Sequence, residues 1–140
     1  EEEIKPKLIY LEPISNPTLK IFDIEAAAKM AHEYGALLVV DNTFATPMSL
    51  NPIKLGADIV IHSVTKYLNG HSDMIGGAVV GTKELMNEVW KKLAHFGGCL
   101  DPHACYLLER GMRTLHVRME RTSEKRVCRN CKGVCGSHEA

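Results

Sequence analysis

Three short apolar runs, each stopped by a polar residue, constrain the fold of this chain more than any other feature. They fall within residues 7–12, 37–40 and 58–62, and the segments between them read as helical or irregular. A run that is apolar throughout is typical of a strand covered on both faces, and strands that alternate with helices are typical of a parallel α/β sheet. With 140 residues, 45% of them hydrophobic, the sequence predicts one folded domain or a piece of a larger one and excludes wholesale disorder.

Helix signals lie between and after these strands. Asp23 is suited to cap a helix over residues 24–34, and another helix is predicted over residues 83–96, after a fourth strand at 77–80. The pattern then turns helical again, with a break near Gly111. We expect three side chains of this second half to pack in the interior: Trp90, Cys99 and Cys105.

Charge and cysteine content exclude several classes of protein. Lys plus Arg and Asp plus Glu both number 17, and a net charge of zero argues against a general polyanion binder. No apolar run approaches the length of a membrane span. The five cysteines are odd in number and three crowd into the last thirteen residues, which does not suit a secreted disulfide framework. This cysteine pattern instead favours a reducing, cytoplasmic setting. The chain opens with Glu1 and shows no leader pattern, so we expect a processed chain or a fragment.

Polar side chains follow each of the three apolar strands. Asn16 follows the first strand, Asp41 the second, and Ser63, Thr65 and Lys66 the third. Ligands of open α/β sheets gather at the carboxyl ends of the strands. This set suits pyridoxal phosphate: the lysine amine forms a Schiff base, the carboxylate keeps the pyridinium nitrogen protonated, hydroxyls bind phosphate, and the amide holds the ring hydroxyl or a substrate carboxylate. Each residue alone is more often a cap or a surface group, and only their joint placement favours a cofactor site.

Four segments closely resemble one enzyme family. They are VVDNTFATP at residues 39–47, LGADIVIHSVTKYLNGHSD at 55–73, EPISNP at 12–17, and residues 107–121. Together they are similar to the Cys/Met-metabolism family of pyridoxal-phosphate enzymes, which includes cystathionine γ-synthase, cystathionine and methionine γ-lyases, and O-acylhomoserine sulfhydrylases. The resemblance covers about residues 7–121, and the segment around Lys66 is far more specific than any short motif.

The resemblance implies a fold and a role for each candidate residue. The fold is part of the large domain of the aminotransferase type I fold, an α/β domain with a mainly parallel sheet. Lys66 matches the Schiff-base lysine and Asp41 the partner of the pyridine nitrogen. Ser63 and Thr65 match phosphate contacts, and Asn16 the asparagine near the ring hydroxyl and the substrate carboxylate. Thr43 is placed beside the ring. The family also implies an amino acid substrate and a homo-oligomer, dimeric or tetrameric.

The implied activity is that of a carbon–sulfur lyase of sulfur amino acid metabolism, acting by γ-elimination on cystathionine, methionine or a related amino acid. In that reaction the amine of Lys66 removes the α-proton and relays protons toward the β-carbon. Two alternatives stay open: a γ-replacement enzyme of the cystathionine γ-synthase or O-acylhomoserine type, and an inactive truncated relative. Members of the family are much longer than this chain, so we expect a fragment, with residues 1–121 a partial cofactor-binding domain and residues 122–140 a tail outside the family pattern.

The tail raises a separate question about metal and nucleic acid. Cys128, Cys131, Cys135 and His138 are residue types that bind zinc, but real zinc ribbons pair two well-separated knuckles, so we predict no metal site. Residues 110–132 hold eight basic and two acidic side chains. No aromatic residues interleave with them, so we interpret the run as a solvated helix face and predict no nucleic-acid partner.

Overall fold

A four-stranded sheet lies at the centre of the computed structural model, which describes residues 5–124. In spatial order its strands are β1 (Leu8–Leu11), β2 (Leu37–Asp41), β3 (Ile59–Ser63) and β4 (Gly77–Gly81). The first three strands run parallel, and β4 pairs with β3 in the antiparallel direction. The prediction of an α/β fold with a mainly parallel sheet is therefore confirmed.

Helices connect the strands and extend the chain beyond the sheet. They are α1 (Ile24–Glu33), the short α2 (Thr46–Ser49) with a 3₁₀ turn at Pro52–Leu55, α3 (Lys83–Phe96), α4 (Pro102–Met112) and α5 (115–124). Asp23 caps α1 as predicted, because its carboxylate accepts a hydrogen bond from the amide of Ala26 at 3.0 Å. None of the helices in residues 5–124 is both long and apolar enough to cross a membrane.

The main core lies between α1 and the sheet. Ile24, Ala28 and Ala31 recur at helical spacing along α1 and are buried against Leu38 and Val40 of β2. Leu38 and Val40 are fully buried, which explains why this strand is apolar at every position before Asp41. The central strand that carries Asp41 is therefore fixed by packing along its length.

A second apolar cluster fastens the loop after β3 to the last helix. Val64, Leu68 and Met74 come from that loop, and Leu115 and Met119 come from α5. All five are buried. This cluster joins residues about 50 positions apart in the sequence, and it places α5 directly beside the turn that contains Lys66.

Some expectations from the sequence fail in the second half of the chain. Trp90 is 66% exposed, and Cys99 and Cys105 are exposed, so the prediction that they pack in the interior is wrong. Trp90 is exposed because α3 contains no buried residue and meets the sheet chiefly at the edge strand β4. The helix break predicted near Gly111 is confirmed, since the chain leaves the helix at Arg113 and Thr114.

The parallel arrangement brings three strand ends to one edge of the sheet. Leu11 lies beside Val40 in the register of β1 and β2, and Asp41 lies beside Ile61 in that of β2 and β3. The residues that follow these positions therefore emerge side by side. This edge carries the candidate site.

Candidate active site

A cavity of about 1390 Å³ opens at the carboxyl ends of the parallel strands. It is lined by every side chain that the sequence singled out for a cofactor: Asn16, Asp41, Ser63, Thr65 and Lys66. The cavity is somewhat larger than the ~300–1,000 Å³ typical of small-molecule sites. Residues that lie up to 50 positions apart in sequence thus share one cavity.

Asp41 ends β2, and its carboxylate is held by three hydrogen bonds. Oδ1 accepts from the amide of Thr43 at 3.0 Å and from the Thr43 hydroxyl at 2.6 Å. Oδ2 accepts from the phenol of Tyr10 at 2.8 Å. All three partners are donors, and together they hold the carboxylate in one orientation. Asp41 is therefore a fixed hydrogen-bond acceptor at the cavity wall.

Tyr10 is a contact that the sequence did not reveal. It lies on β1 and reaches Asp41 across the strand pair. Partial burial of the phenol, the hydrogen bond to Asp41 and the nearby charges of Asp41 and Glu12 raise the pKa of Tyr10 to about 12. The phenol therefore stays protonated and acts as a hydrogen-bond donor at neutral pH. A tyrosine on an otherwise apolar strand does not by itself indicate a hydrogen bond to Asp41.

Thr43 connects the ends of two strands. Its hydroxyl donates to Asp41 and accepts from the amide of Ser63 at 2.7 Å. A hydroxyl can fill both roles at once because it has one proton and two lone pairs. The family resemblance predicts that Thr43 lies beside the ring. In the structure it orients Asp41 and fixes the start of the Lys66 turn.

Lys66 lies in a tight turn directly after β3. The turn is closed by backbone hydrogen bonds from Asn69 to Val64 at 2.9 Å and from Gly70 to Lys66 at 2.8 Å. The Lys66 side chain is exposed to the cavity, and its amine makes no hydrogen bond or ion pair within residues 5–124. An unpaired amine facing the same cavity as a fixed carboxylate is available for bonding to a carbonyl compound.

The remaining predicted residues differ in how much of their polar capacity is free. The Thr65 hydroxyl accepts from the amide of Gly76 at 2.9 Å and donates to its carbonyl at 3.2 Å, so it ties the turn to the start of β4. Asn16 is exposed, and only its backbone amide is engaged, with Glu12 at 3.0 Å. Within the described part of the chain the side-chain amide of Asn16 has no partner, so it is free to bind a ligand.

Arg118 of α5 makes a contact with the Lys66 turn that the sequence pattern does not reveal. Its guanidinium donates to the carbonyls of Tyr67 at 2.6 Å, Leu68 at 3.2 Å and Gly111 at 2.8 Å. A fourth hydrogen bond joins its Nε to the Thr114 hydroxyl at 3.0 Å. The basic run predicts a solvated helix face for Arg118, but its side chain reaches the turn that follows Lys66. Charge pattern alone cannot show this, because the contact spans 51 positions.

A second arginine supports the same loop indirectly. Arg110 pairs with Asp73 at 3.0 Å, and Asp73 accepts from the side-chain amide of Asn69 at 2.7 Å. The hydrogen bond from Asn69, followed by the charges of Arg110 and His71, lowers the pKa of Asp73. Asn69 is fully buried, so this network fixes the end of the Lys66 turn.

His62 lies just behind the site and is buried on β3. Burial lowers the pKa of this imidazole, and the charge of Asp41 opposes that effect in part. Its Nδ1 has no hydrogen-bond partner within residues 5–124. No three His, Cys, Asp or Glu side chains in this range are grouped to hold a metal ion, and the cysteine-rich tail, at 128–138, lies outside the described residues.

Comparison with known proteins gives consistent relatives. A family model described as Cys/Met metabolism PLP-dependent enzyme matches residues 1–128. An L-methionine gamma-lyase from Fusobacterium nucleatum subsp. polymorphum is 48% identical over 91% of this chain and 32% of its own length. A cystathionine gamma-lyase from Bacillus subtilis (strain 168) is 51% identical over 86% of the chain and 32% of its own length.

A solved structure extends the likeness to the fold. The cystathionine gamma synthase from Xanthomonas oryzae pv. oryzae, in complex with aminoacrylate and cysteine, matches with a TM-score of 0.79 and 45% identity. The match covers 81% of this chain and 30% of that structure. The chain thus spans about a third of the length of the curated relatives described above.

Proposed function

The chain belongs to the Cys/Met-metabolism family of pyridoxal-phosphate-dependent enzymes, and on that premise we propose that its cavity holds pyridoxal 5′-phosphate and serves a carbon–sulfur lyase that acts on a sulfur amino acid. The observation that carries the proposal is the meeting of the unpaired Lys66 amine and the fixed Asp41 carboxylate in one cavity. When bound, pyridoxal phosphate supplies a ring that accepts negative charge from the substrate α-carbon.

The residues present fit this group by their chemistry. The cofactor carries an aldehyde, a ring nitrogen that is basic, a ring hydroxyl and a phosphate. The cavity offers an amine in Lys66, a carboxylate in Asp41, an amide in Asn16 and hydroxyls in Ser63 and Thr65. Each functional group of the cofactor therefore has a complementary partner type.

Asp41 would hold the protonated ring nitrogen. Its Oδ1 is occupied by the amide and hydroxyl of Thr43, and its Oδ2 by Tyr10. A carboxylate oxygen accepts more than one hydrogen bond, so Oδ2 can keep Tyr10 and take a further donor. The three existing bonds keep the carboxylate oriented without assistance from a ligand, which limits the reorganisation that binding requires.

Lys66 would attach the cofactor and move protons. A lysine amine joins a carbonyl carbon only when deprotonated and unpaired, and the Lys66 amine meets the second condition within residues 5–124. The free Lys66 amine would take the proton from the substrate α-carbon, and it would act again at the β-carbon, where γ-elimination requires the removal of a second proton. Tethering the base in the cavity gives this proton transfer a high effective concentration.

Three polar side chains would bind and orient the cofactor and the substrate: Ser63, Thr65 and Asn16. Small hydroxyls donate to phosphate oxygens without steric bulk, and the proposal assigns this role to Ser63 and Thr65. Thr65 donates at present to the Gly76 carbonyl over 3.2 Å, a long bond that a phosphate oxygen can replace while the bond from the Gly76 amide persists. The free amide of Asn16 would contact the ring hydroxyl or the substrate carboxylate.

The test is covalent capture of the cofactor on the purified 140-residue chain. Pyridoxal phosphate is added, the product is reduced with borohydride, and the modified lysine is mapped by mass spectrometry. We expect an absorbance band of the lysine adduct and modification at Lys66, both lost in Lys66→Ala. Lys29→Ala, which removes an exposed lysine of α1 outside the cavity, is the matched control and should keep both signals. A wild-type chain without Lys66 modification contradicts the proposal and favours an inactive relative.

The choice of lyase over synthase rests on the relatives. Two curated relatives are named gamma-lyases at 48% and 51% identity, while one of the structural matches, at 45%, is a gamma synthase. Incubation with methionine or cystathionine separates the two activities, because elimination releases ammonia and a keto acid, whereas replacement consumes a thiol and forms a thioether. Ammonia without added thiol supports the lyase, and thiol-dependent turnover alone supports the synthase.

A cytoplasmic location and a homo-oligomeric state complete the proposal. The odd number of cysteines and the free thiols of Cys99 and Cys105 support a reducing compartment. Exposed apolar side chains on α3, such as Trp90 and Phe96, support an assembled state. Sedimentation equilibrium would test the assembly, and a strictly monomeric chain at micromolar concentration would contradict it.

A further inference from the structure

Arg118 binds the backbone immediately beyond Lys66. The carbonyls of Tyr67 and Leu68, the first two residues after the lysine, both accept from its guanidinium. The same guanidinium donates to the Gly111 carbonyl near the end of α4. We call these three hydrogen bonds, to the carbonyls of Tyr67, Leu68 and Gly111, the Arg118 clamp. With the bond to the Thr114 hydroxyl, the side chain makes four hydrogen bonds, and an arginine has five N–H donors.

Two glycines allow the Lys66 turn to approach Arg118 and α4 closely. Gly70 has φ of +76°, and a Cβ at this position would collide with the guanidinium of Arg118. A Cβ on Gly111 would collide with the backbone oxygen of Asn69. The turn that carries Lys66 is thus pressed against both α4 and Arg118, with no room for a side chain on either side.

Arg118 holds the Lys66 turn with a charged group. Arg118 is partly buried and pairs with no carboxylate within residues 5–124. A partly buried cation without a counter-ion loses hydration, and three backbone carbonyls and the Thr114 hydroxyl compensate for that loss. Apolar contacts already join this turn to α5 through Leu68, Leu115 and Met119, so simple attachment does not require a cation. The guanidinium adds direction, because its planar fork fixes the orientation of the peptide groups that it binds.

We propose that Arg118 is a positioning residue for Lys66: by fixing the Tyr67 and Leu68 carbonyls it sets the direction in which the Lys66 side chain leaves the turn and enters the cavity. This inference rests on the proposed function, because it concerns the amine that would attach the cofactor. Without the clamp, the peptide planes of the turn can rotate. The Lys66 amine then spends less time where a carbonyl bound in the cavity would meet it.

The experiment compares Arg118→Lys and Arg118→Met with the wild-type chain and with Arg113→Ala. Arg113 lies at the turn between α4 and α5, is 73% exposed in a surface pair with Glu109, and does not line the cavity. The readouts are the rate of borohydride-trapped pyridoxal-phosphate addition at Lys66, the rate at Lys29 in the same molecules, and amide hydrogen exchange along the chain. The Lys66-to-Lys29 ratio corrects for differences in reagent concentration and trapping efficiency, and hydrogen exchange reports any general loss of folded protein.

We expect the ratio to fall about tenfold or more in Arg118→Met and by less in Arg118→Lys, since lysine keeps a donor but lacks the fork. Faster exchange should be confined to residues 64–73, with α1 and β2 unchanged, and Arg113→Ala should match the wild type. A ratio that stays at the wild-type value overturns the positioning role. Faster exchange throughout the chain also overturns it, because Arg118 would then serve the fold as a whole.

Failure of the proposed function has a different signature. If wild-type protein is not modified preferentially at Lys66, the proposed cofactor site is wrong, and the positioning role that rests on it is wrong with it. If the wild type is modified at Lys66 and the Arg118 variants are modified at the same rate, only the positioning role is wrong.

Discussion

The phenol of Tyr10 donates a 2.8 Å hydrogen bond to Oδ2 of Asp41, from the strand that neighbours it in the sheet. The two residues are 31 positions apart and meet because β1 and β2 are parallel and in register. The contact gives Asp41 a donor on its second oxygen and couples the titration of the phenol to the charge of the carboxylate.

Removing the charge of Asp41 should lower the pKa of Tyr10. We expect the value in Asp41→Asn to fall from about 12 toward the ordinary 10.0 without reaching it, because burial of the phenol remains. Phenolate absorbance measures this, with Tyr10→Phe identifying the contribution of Tyr10 among the tyrosines. An unchanged titration in Asp41→Asn would show that the charge of Asp41 does not reach the phenol.

The same shift predicts how stability depends on alkaline pH. The folded-state pKa of Tyr10 lies above its unfolded value, so the contribution of the neutral phenol is fully present below pH 10.0 and is lost as pH rises toward about 12. Urea unfolding across this range should show a steeper decline for wild type than for Tyr10→Phe. Parallel declines in the two proteins would contradict the linkage.

Thr43 should matter for stability through its hydroxyl alone. Thr43→Val keeps the shape but leaves the Ser63 amide without its acceptor and Asp41 without one donor, at a cost of about 1–3 kcal/mol in the free energy of unfolding. Thr43→Ser keeps the hydroxyl and should lose clearly less. Urea denaturation of the three proteins measures the difference, and equal losses in the valine and serine variants would assign the effect to packing of the methyl group.

Gly111 should resist substitution despite lying in a helix. Alanine ordinarily favours a helix over glycine by up to about 1 kcal/mol, but a Cβ here collides with the Asn69 backbone, and such overpacking costs about 1–3 kcal/mol. We therefore expect Gly111→Ala to be destabilised. Gly98→Ala, whose Cβ would lie 3.5 Å from its nearest neighbour, is the control and should change thermal stability little. A Gly111→Ala protein as stable as wild type would mean that α4 does not press on the Lys66 turn.

His62 should make the chain sensitive to mild acid. Burial lowers its folded-state pKa below the ordinary 6.5, so the stability that it contributes is present above pH 6.5 and is lost as pH falls through the folded value. Asp41→Asn should lower the pKa of His62 further, because the carboxylate favours the charged imidazole. Imidazole chemical shifts in an NMR titration measure both effects. A pKa of His62 at or above 6.5 would contradict the burial argument.

Much of the local structure could be predicted because it depends on near neighbours in the sequence. Continuous apolar runs predicted β1, β2 and β3, and Asp23 marked the start of α1 through a cap that involves residues three apart. The polar residues after each strand predicted where a ligand would bind, and the structure brings them to one cavity. Their individual roles remain predictions, as does the boundary between residues 121 and 122, which α5 crosses without interruption.

The sequence by itself determined the strand and helix pattern, the family and the residue types available for chemistry, since each of these is encoded in periodicity, caps and an uninterrupted motif. Only the tertiary structure decided that β4 is antiparallel, that α3 leaves Trp90 exposed, and that Arg118 holds the turn after Lys66. These features depend on strand register and on helix packing between residues that are tens of positions apart. Two side chains of the same type can therefore have different partners, because the fold decides which groups lie within hydrogen-bond distance of each. The sequence of a basic helix does not show whether an arginine faces water or the carbonyl of Tyr67. The packing of α5 against the Lys66 turn determines that Arg118 faces the carbonyl.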